Sequence, residues 1–336
     1  MKVLVMGGTG QLGANLVRAL LARGDQVRVL VRPIQSSRQA VGHLMLRGLE
    51  IERVDGDLND AESLVRACEG VRVVYQAASY YPVQTIPVKA ATKQALTETG
   101  NLLQAVRRAS AERLVFTSTL TTIGFPARPG RLADEDCAFT TKYRNNPYLM
   151  SKIAMENEVL AAAKNGVPAV VINPTVFFGP FDSKPTSGTQ ILMIARRMMP
   201  AYVDGPVNAI DVRDVAEGMI LAAERGRVGE RYILGNWNTT QKELNALIAG
   251  VAGVRPPLVP VPFALARVGA KWGDAVFRTI LRRPAPMPGF FVEMLAHMQQ
   301  YDCSKAIREL GYPRRPVEHA IRDALAWFKA NGYLPA

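Results

Sequence analysis

The chain opens with MKVLVMGGTGQLG, residues 1–13, and the reading of this stretch decides the fold. An apolar run, Val3 to Met6, breaks into glycines at Gly7, Gly10 and Gly13, and a helical pattern follows to Arg23. A strand, a glycine turn and a helix in that order make a cradle for a dinucleotide. The first glycine permits the tight turn, the second lets the backbone approach a pyrophosphate, and the third lets the helix lie close on the strand. The free N–H groups and positive dipole of the helix N-terminus then face the phosphates. The spacing is G-x-x-G-x-x-G rather than G-x-G-x-x-G. Three glycines alone are a weak signal, and their place between the first strand and the first helix is what carries the assignment.

Working outward, Gly24 closes the first helix and Gln26 to Val31 (QVRVLV) reads as a second strand. Enzymes that use NAD usually carry Asp or Glu at its end, to accept the ribose 2′-hydroxyl. Here Arg32 stands there, followed by Ser36, Ser37 and Arg38. A guanidinium grips a 2′-phosphate but cannot accept that hydrogen bond, so NADP(H) is favoured. A solvated arginine that tolerates NAD(H) is the alternative. Residues 50–54 read as a third strand, followed by Gly56-Asp57-Leu58. Asp57 suits the adenine amino group with Leu58 over the ring, and serves equally as a cap for the helix starting near Asp60. Val71 to Gln76 makes a fourth strand, and the small Ala77, Ala78 and Ser79 leave room for a cofactor. A helix over Val88 to Arg108 leads to a fifth strand, Arg113 to Thr117, ending in Ser118 and Thr119. Val167 to Asn173 is a buried sixth strand, and the Pro174–Pro180 run after it reads as a rigid turn suited to one face of a nicotinamide.

This alternation predicts an α/β fold, a Rossmann-type doubly wound parallel sheet, over residues 1–180 with a return segment at about 207–236. Residues 181–206 and 237–336 break the alternation, are rich in Pro, Met and aromatics, and suit a smaller C-terminal substrate-binding lid domain. Residues 210–223 read as a capped amphipathic helix, with Asp211 and Asp214 as caps or structural contacts.

Between Thr119 and Tyr148 lies a loop rich in Gly and Pro (Gly124, Pro126, Pro129, Gly130, Pro147), long enough to suggest a functional segment. NPYLMSK follows, with Tyr148 and Lys152 four residues apart and so on one helix face. Chance gives about 0.3 Tyr-x-x-x-Lys pairs in a chain of this composition. The second pair, Tyr301 and Lys305, has no strand-end hydroxyl ahead of it and reads as the start of an ordinary helix. Tyr148 is therefore the candidate acid/base. A free phenol, with pKa near 10, is a poor proton donor at neutral pH, and an ammonium one turn away is expected to bring it down.

The net charge of +12 with scattered arginines does not form the basic, aromatic-interleaved run of a nucleic-acid binder. Three widely spaced cysteines (Cys68, Cys137, Cys303) suggest neither a disulfide framework nor a zinc site, and predict a reducing, cytoplasmic setting. The N-terminus reads as a strand rather than a signal peptide, and no apolar stretch is long enough to span a membrane. His43, His297 and His319 lack ligand spacing, so no metal is expected. The segment Phe263 to Arg283 is both apolar and basic. Packing on the lid is its preferred reading, with weak peripheral membrane contact the other.

With the glycine turn, Thr119, Tyr148 and Lys152 together, the chain resembles the extended (atypical) short-chain dehydrogenase/reductase family over nearly its whole length. LVRP at 30–33, FTST at 116–119 and the NPTVFFGP run are similar to the dihydroflavonol reductase and 3β-hydroxysteroid dehydrogenase branch. NPTVFFGPFDSKPT, MPAYVDGPVN, GRVGERYILG and the C-terminal ELGYPRRPVEHAIRDALAWFKANGYL are similar to the hopanoid-associated sugar epimerase group. The resemblance implies Tyr148 as acid/base, Lys152 as its partner and holder of the nicotinamide ribose, and Thr119 in place of the usual catalytic Ser. It implies that Gly7, Thr9, Gly10, Gln11, Leu12 and Gly13 line the pyrophosphate and that Arg32 takes the 2′-phosphate. Asp57 and Leu58 would meet the adenine, Pro174, Thr175 and Val176 the nicotinamide, and Ala77, Ala78 and Thr117 complete the cofactor lining. Pairing of the helices near 88–108 and 148–164 in a homodimer is a further implication. Two departures stand out: Ala95-Leu96-Thr97-Glu98-Thr99 replaces the family's Asn-Val-x-Gly-Thr, and Ile123 replaces the common Tyr before Gly124.

The implied activity is NADP(H)-dependent interconversion of a carbonyl and an alcohol on a fairly apolar small molecule. A sugar epimerase or dehydratase that keeps NAD(H) bound is the alternative. A silent NADP-sensing protein is a third reading, disfavoured because both Tyr148 and Lys152 are kept.

Overall fold

The computed structural model describes residues 1–34, 37–78, 86–128, 130–139, 145–279, 292 and 295–335. Ser36, Ser79 and Pro129, the side chains of Ser37 and Arg38, and residues 280–283 of the apolar, basic segment lie outside what is described.

Seven strands form one sheet: β1 (Lys2–Met6), β2 (Gln26–Val31), β3 (Glu52–Asp55), β4 (Val73–Gln76), β5 (Arg113–Thr117), β6 (Ala169–Pro174) and β10 (Arg231–Leu234). Their order is β10-β6-β5-β4-β1-β2-β3, and every pair is parallel. Strand alternation sorts the side chains. Val3 and Val5 face α1 (Gln11–Ala22) and α7 (Val212–Arg225), whereas Leu4 and Met6 face α3 (Ala61–Cys68), α4 (Val88–Arg108) and α5 (Pro147–Lys164). Both faces are covered, which explains why these strands read as continuous apolar runs.

Strand order reverses between β1 and β4, the switch point where open parallel sheets bind ligands at the strands' C-terminal ends. Caps fix the helices there. Asn146 accepts from Leu149 N at 3.0 Å and Pro147 occupies the first turn, setting the start of α5. Asp60, not Asp57, caps α3, accepting from Ser63 N at 3.1 Å. Asp211 caps α7 and Asp214 accepts from Arg315 N at 2.6 Å, so both are structural.

The 174–180 run is not only a turn. Val176–Phe178 forms a strand, β7, lying parallel to β9 (Pro206–Asp211), with β11 (Trp237–Thr240) antiparallel on β9's other side. Flanking prolines mark the run as a turn, but its three apolar residues find a partner distant in sequence. Around this small sheet, α6 (Gly188–Ala195), α8 (Gln241–Ala252) and a C-terminal helix (Val317–Ala330) share a second core of Phe178, Ile191, Leu244, Ile248, Ile321 and Phe328. The 179–181 segment is strapped to α1: Gln11 Nε2 donates to Gly179 O at 2.9 Å, and Asn15 Nδ2 to Pro180 O at 3.1 Å.

The loop after β5 is pinned along its described length. Thr119 caps a short 3₁₀ turn over Leu120–Thr122, Gly124 N donates to Cys137 O at 3.1 Å, and Ala133 pairs with Tyr301. Tyr301 and Lys305 are structural. The Tyr301 hydroxyl donates to Leu120 O at 3.2 Å, and Lys305 Nζ to Glu230 at 2.7 Å and to Arg231 O at 2.8 Å. The apolar, basic segment forms α9 (Phe263–Thr279), and it does not simply pack inward. Phe263, Ala266 and Ala270 are half-buried, but Leu265, Val268 and Trp272 are exposed.

Candidate active site at the carboxyl edge of the sheet

Because the seven strands are parallel, the residues following each strand gather at one edge. Gly7 follows β1, Arg32 follows β2, Asp57 lies just past β3, Ala77 follows β4, Thr119 lies just past β5 and Thr175 follows β6. The order across the sheet then separates two halves. Arg32 and Asp57 lie on the β2–β3 side of the opening loop, and Thr119 and Thr175 on the β5–β6 side.

The opening loop fits a dinucleotide on its own geometry. Gly7 has φ +89°, and a Cβ there would lie 2.5 Å from Ala78 N, so the turn and the end of β4 leave no room for a side chain. A Cβ on Gly13 would fall 2.1 Å from Gly7 O, which is the close approach of α1 to its strand. On Gly10 it would meet only Gly7 O, at 3.4 Å, so this face of the loop is open. Gly10 provides no side-chain cap, leaving the first N–H groups of α1 for a ligand. The buried Gln11 Oε1 has no partner. Gly8, not singled out in the sequence, is a packing glycine: its Cβ would lie 2.6 Å from Val29 Cγ1 of β2. Lys184 is a second residue that sequence reasoning missed. Its Nζ comes within 3.4 Å of the Cβ position on Gly42, alongside Thr9.

On the other half, Tyr148 and Lys152 are both buried on α5, with Lys152 Nζ 5.8 Å from the centroid of the Tyr148 ring. Burial pushes the Tyr148 phenol above its usual range, while hydrogen bonds with Thr119 and Thr121 pull it back. Burial thus outweighs the acidification expected from a lysine one turn away. The Lys152 ammonium is itself pushed down to about 8 by burial, partly offset by the Glu98 carboxylate. Glu98 is buried on α4, and its own carboxyl is pushed up by that burial. It stands one turn after Ala95, whose methyl is buried in the core where the family's Asn would be.

A buried polar network holds this half together. Glu156 Oε2 accepts from Thr122 Oγ1 at 2.6 Å and from Asn173 Nδ2 at 2.7 Å, and Glu156 Oε1 accepts from Arg231 Nη1 at 2.9 Å. Asn173 Nδ2 also donates to Thr119 O at 3.1 Å. Spacing alone could have flagged Glu156, which lies one turn beyond Lys152.

Two strand-end threonines have side-chain partners within the fold. The Thr117 hydroxyl meets Met219 Sδ of α7 at 3.9 Å, and the Thr175 hydroxyl donates to Asn208 Oδ1 at 2.8 Å. Asp57 Oδ1 accepts from Asn59 N at 2.9 Å and from Asn59 Nδ2 at 2.8 Å, and Leu58 O accepts from Asn101 Nδ2 at 2.9 Å, which orders the loop after β3. Among the described residues no group of His, Cys, Asp and Glu is arranged to hold a metal.

The family model for the NAD dependent epimerase/dehydratase family matches residues 3–235. The chain is 39% identical over 336 residues to a candidate dihydroflavonol 4-reductase of Synechocystis, covering 98% of this chain and 95% of the relative. It is 32% identical to sterol demethylase protein B of Methylococcus capsulatus, covering 99% and 100%. Among solved structures it is similar to a nucleoside-diphosphate-sugar epimerase from Pseudomonas aeruginosa, at TM-score 0.81, 28% identity and 99% coverage of both chains. The chain belongs to the NAD-dependent epimerase/dehydratase family of extended short-chain dehydrogenase/reductases and is an NAD(P)-dependent oxidoreductase.

Proposed function

We propose that the protein is an NADP(H)-dependent reductase that converts the carbonyl of a fairly apolar small molecule to an alcohol. The observation that carries the reading is Arg32, a cation at the end of β2 where a NAD enzyme places a carboxylate. The reductase names of full-length relatives agree with it.

The nicotinamide, when bound, supplies the hydride. Tyr148 donates the proton to the substrate oxygen. Thr119, tied to the phenol by a hydrogen bond, holds that oxygen at a fixed distance. Lys152 holds the nicotinamide ribose and keeps a positive charge beside the developing phenolate, which lowers the cost of losing the proton. The opening loop with Gly10, Gln11 and Leu12 holds the pyrophosphate, and Asp57 and Leu58 meet the adenine. The second core built by α6, α8 and the C-terminal helix forms the substrate side, and the Pro, Met and aromatic content of residues 181–206 and 237–336 suits an apolar molecule.

The likeness to a nucleotide-sugar epimerase supports a second reading, in which one substrate is oxidised and re-reduced on a retained cofactor. Purification without added nucleotide separates the two. A reductase emerges with a site that NADPH saturates and turns over carbonyl compounds with loss of NADPH absorbance. Tightly retained NAD, with no NADPH consumption across a carbonyl panel, would replace the first reading by the second.

A further inference from the structure

Thirteen large apolar side chains are exposed among the described residues, and five of them, Leu258, Val259, Leu265, Val268 and Trp272, fall within one short stretch around β12 (Val259–Pro260) and the start of α9. Leu258 is 74% exposed and Trp272 71%. On α9, Leu265, Val268 and Trp272 follow i, i+3, i+7 and make one stripe. Phe263, Ala266, Ala270 and Gly273 make a second stripe, which is half-buried. The outer face of a surface helix is normally polar; here it is apolar and carries an indole.

Arg267 is exposed between the two stripes. Arg255 is exposed just before β12. The whole chain carries +12. An apolar stripe bearing Trp, flanked by cations, complements a surface that offers acyl chains at depth and anionic headgroups above. A second copy of this chain would bring the same net positive charge, +12, to the contact. Among the described residues no helix is long and apolar enough to cross a membrane.

We propose that α9, with the β12 segment before it, docks this protein on the surface of anionic phospholipid bilayers. Leu265, Val268 and Trp272 enter the headgroup–acyl boundary, and Arg267 and Arg255 meet lipid phosphates.

The test is sedimentation of the full chain with vesicles of phosphatidylcholine alone or mixed with phosphatidylglycerol. Binding is expected to the mixed vesicles, to weaken with salt, and to fall on the order of a hundredfold in the Leu265→Ser, Val268→Ser, Trp272→Ser variant. Arg267→Glu is expected to cost about fivefold or more on the same vesicles. Because the substituted side chains are exposed, unfolding midpoint and NADPH binding should match the parent, which separates lost docking from lost folding. Three results would overturn the proposal. The parent could fail to bind the mixed vesicles, or the triple variant could bind as the parent does. A drop in oligomeric state of the triple variant, without vesicle binding by the parent, would assign the stripe to a second copy.

Discussion

Asn173 donates its side-chain amide to Glu156 Oε2 at 2.7 Å, joining the end of β6 to the third turn of α5. Glu156 shares a helix face with Lys152 and Tyr148, and Asn173 also holds the backbone oxygen of Thr119. One carboxylate thereby fixes the helix that carries the phenol and ammonium to the strand ends that carry the threonine. Arg231 on β10 supplies its counter-charge at 2.9 Å.

Glu156 is 3% exposed, so its removal leaves the Arg231 guanidinium and the Asn173 amide short of an acceptor in a nearly dry site. Glu156→Ala is expected to lower the unfolding free energy by about 3–5 kcal/mol. Glu156→Gln, which keeps an acceptor for Asn173 and Thr122, should cost less. Urea titration of both variants measures this, and a loss below about 1 kcal/mol for the alanine variant would mean that the network is not holding the two elements together.

Tyr148→Phe removes the proposed proton donor and leaves the ring in its buried place. The expected result is a fall in kcat of at least about a hundredfold, the usual contribution of a positioned acid, with NADPH affinity nearly unchanged. Fluorescence titration of NADPH beside steady-state kinetics tests it. Equal loss of binding and turnover would make Tyr148 a structural residue.

The elements bounded by glycine turns and clear periodicity were legible: β2 (Gln26–Val31), α4 (Val88–Arg108) and β5 (Arg113–Thr117) fall where the pattern alone places them. The short strands shift by one or two residues, because pairing partners and not their own sequence set their ends: β3 is Glu52–Asp55 and β4 Val73–Gln76. β7 was not legible at all, since its partner β9 lies about thirty residues on. The same limit applies at the site. Tyr148 and Lys152 announce each other by spacing, but the bond from Asn173 to Glu156 crosses two elements and leaves no local signature. Gly8 needs Val29 for its explanation. The exposure of Leu265, Val268 and Trp272 could not be read from a segment whose two faces are both apolar.

Lys152 sets a conflict between stability and activity. Burial pushes its ammonium down to about 8, against roughly 10.4 in an unfolded chain. Between those values the unfolded chain binds the extra proton, so this group's contribution to stability rises with pH there. Below about 8 the folded protein carries the buried charge at a cost of up to about 3 kcal/mol. Lys152→Met should therefore raise the Tm at neutral pH while abolishing turnover, and the gain should shrink as pH climbs through the window. Reduction by the parent should decline above about pH 8 as the ammonium is lost. Thermal melts at several pH values decide it: a methionine variant less stable than the parent at pH 7 would mean that the charge is stabilising in place.

Arg32 bears on the choice between the two nicotinamide cofactors. It is exposed at the end of β2, and its charge helps to offset the burial and the Asp57 repulsion that push the Glu98 carboxyl up. A 2′-phosphate placed among Asp57, Glu98 and Arg32 would meet two carboxyl groups and one cation, so the cation decides whether phosphate is tolerated at all. A charge-assisted hydrogen bond is worth about 1.5–3 kcal/mol, so Arg32→Ala should cut kcat/KM for NADPH about tenfold to a hundredfold and leave that for NADH nearly unchanged. Alanine is the informative change because it removes the cation without adding a third carboxylate. If both cofactors fall together, Arg32 shapes the loop rather than reading the phosphate. If neither falls, it is a solvated side chain, and a cation for the 2′-phosphate must be sought at Lys184 beside Thr9.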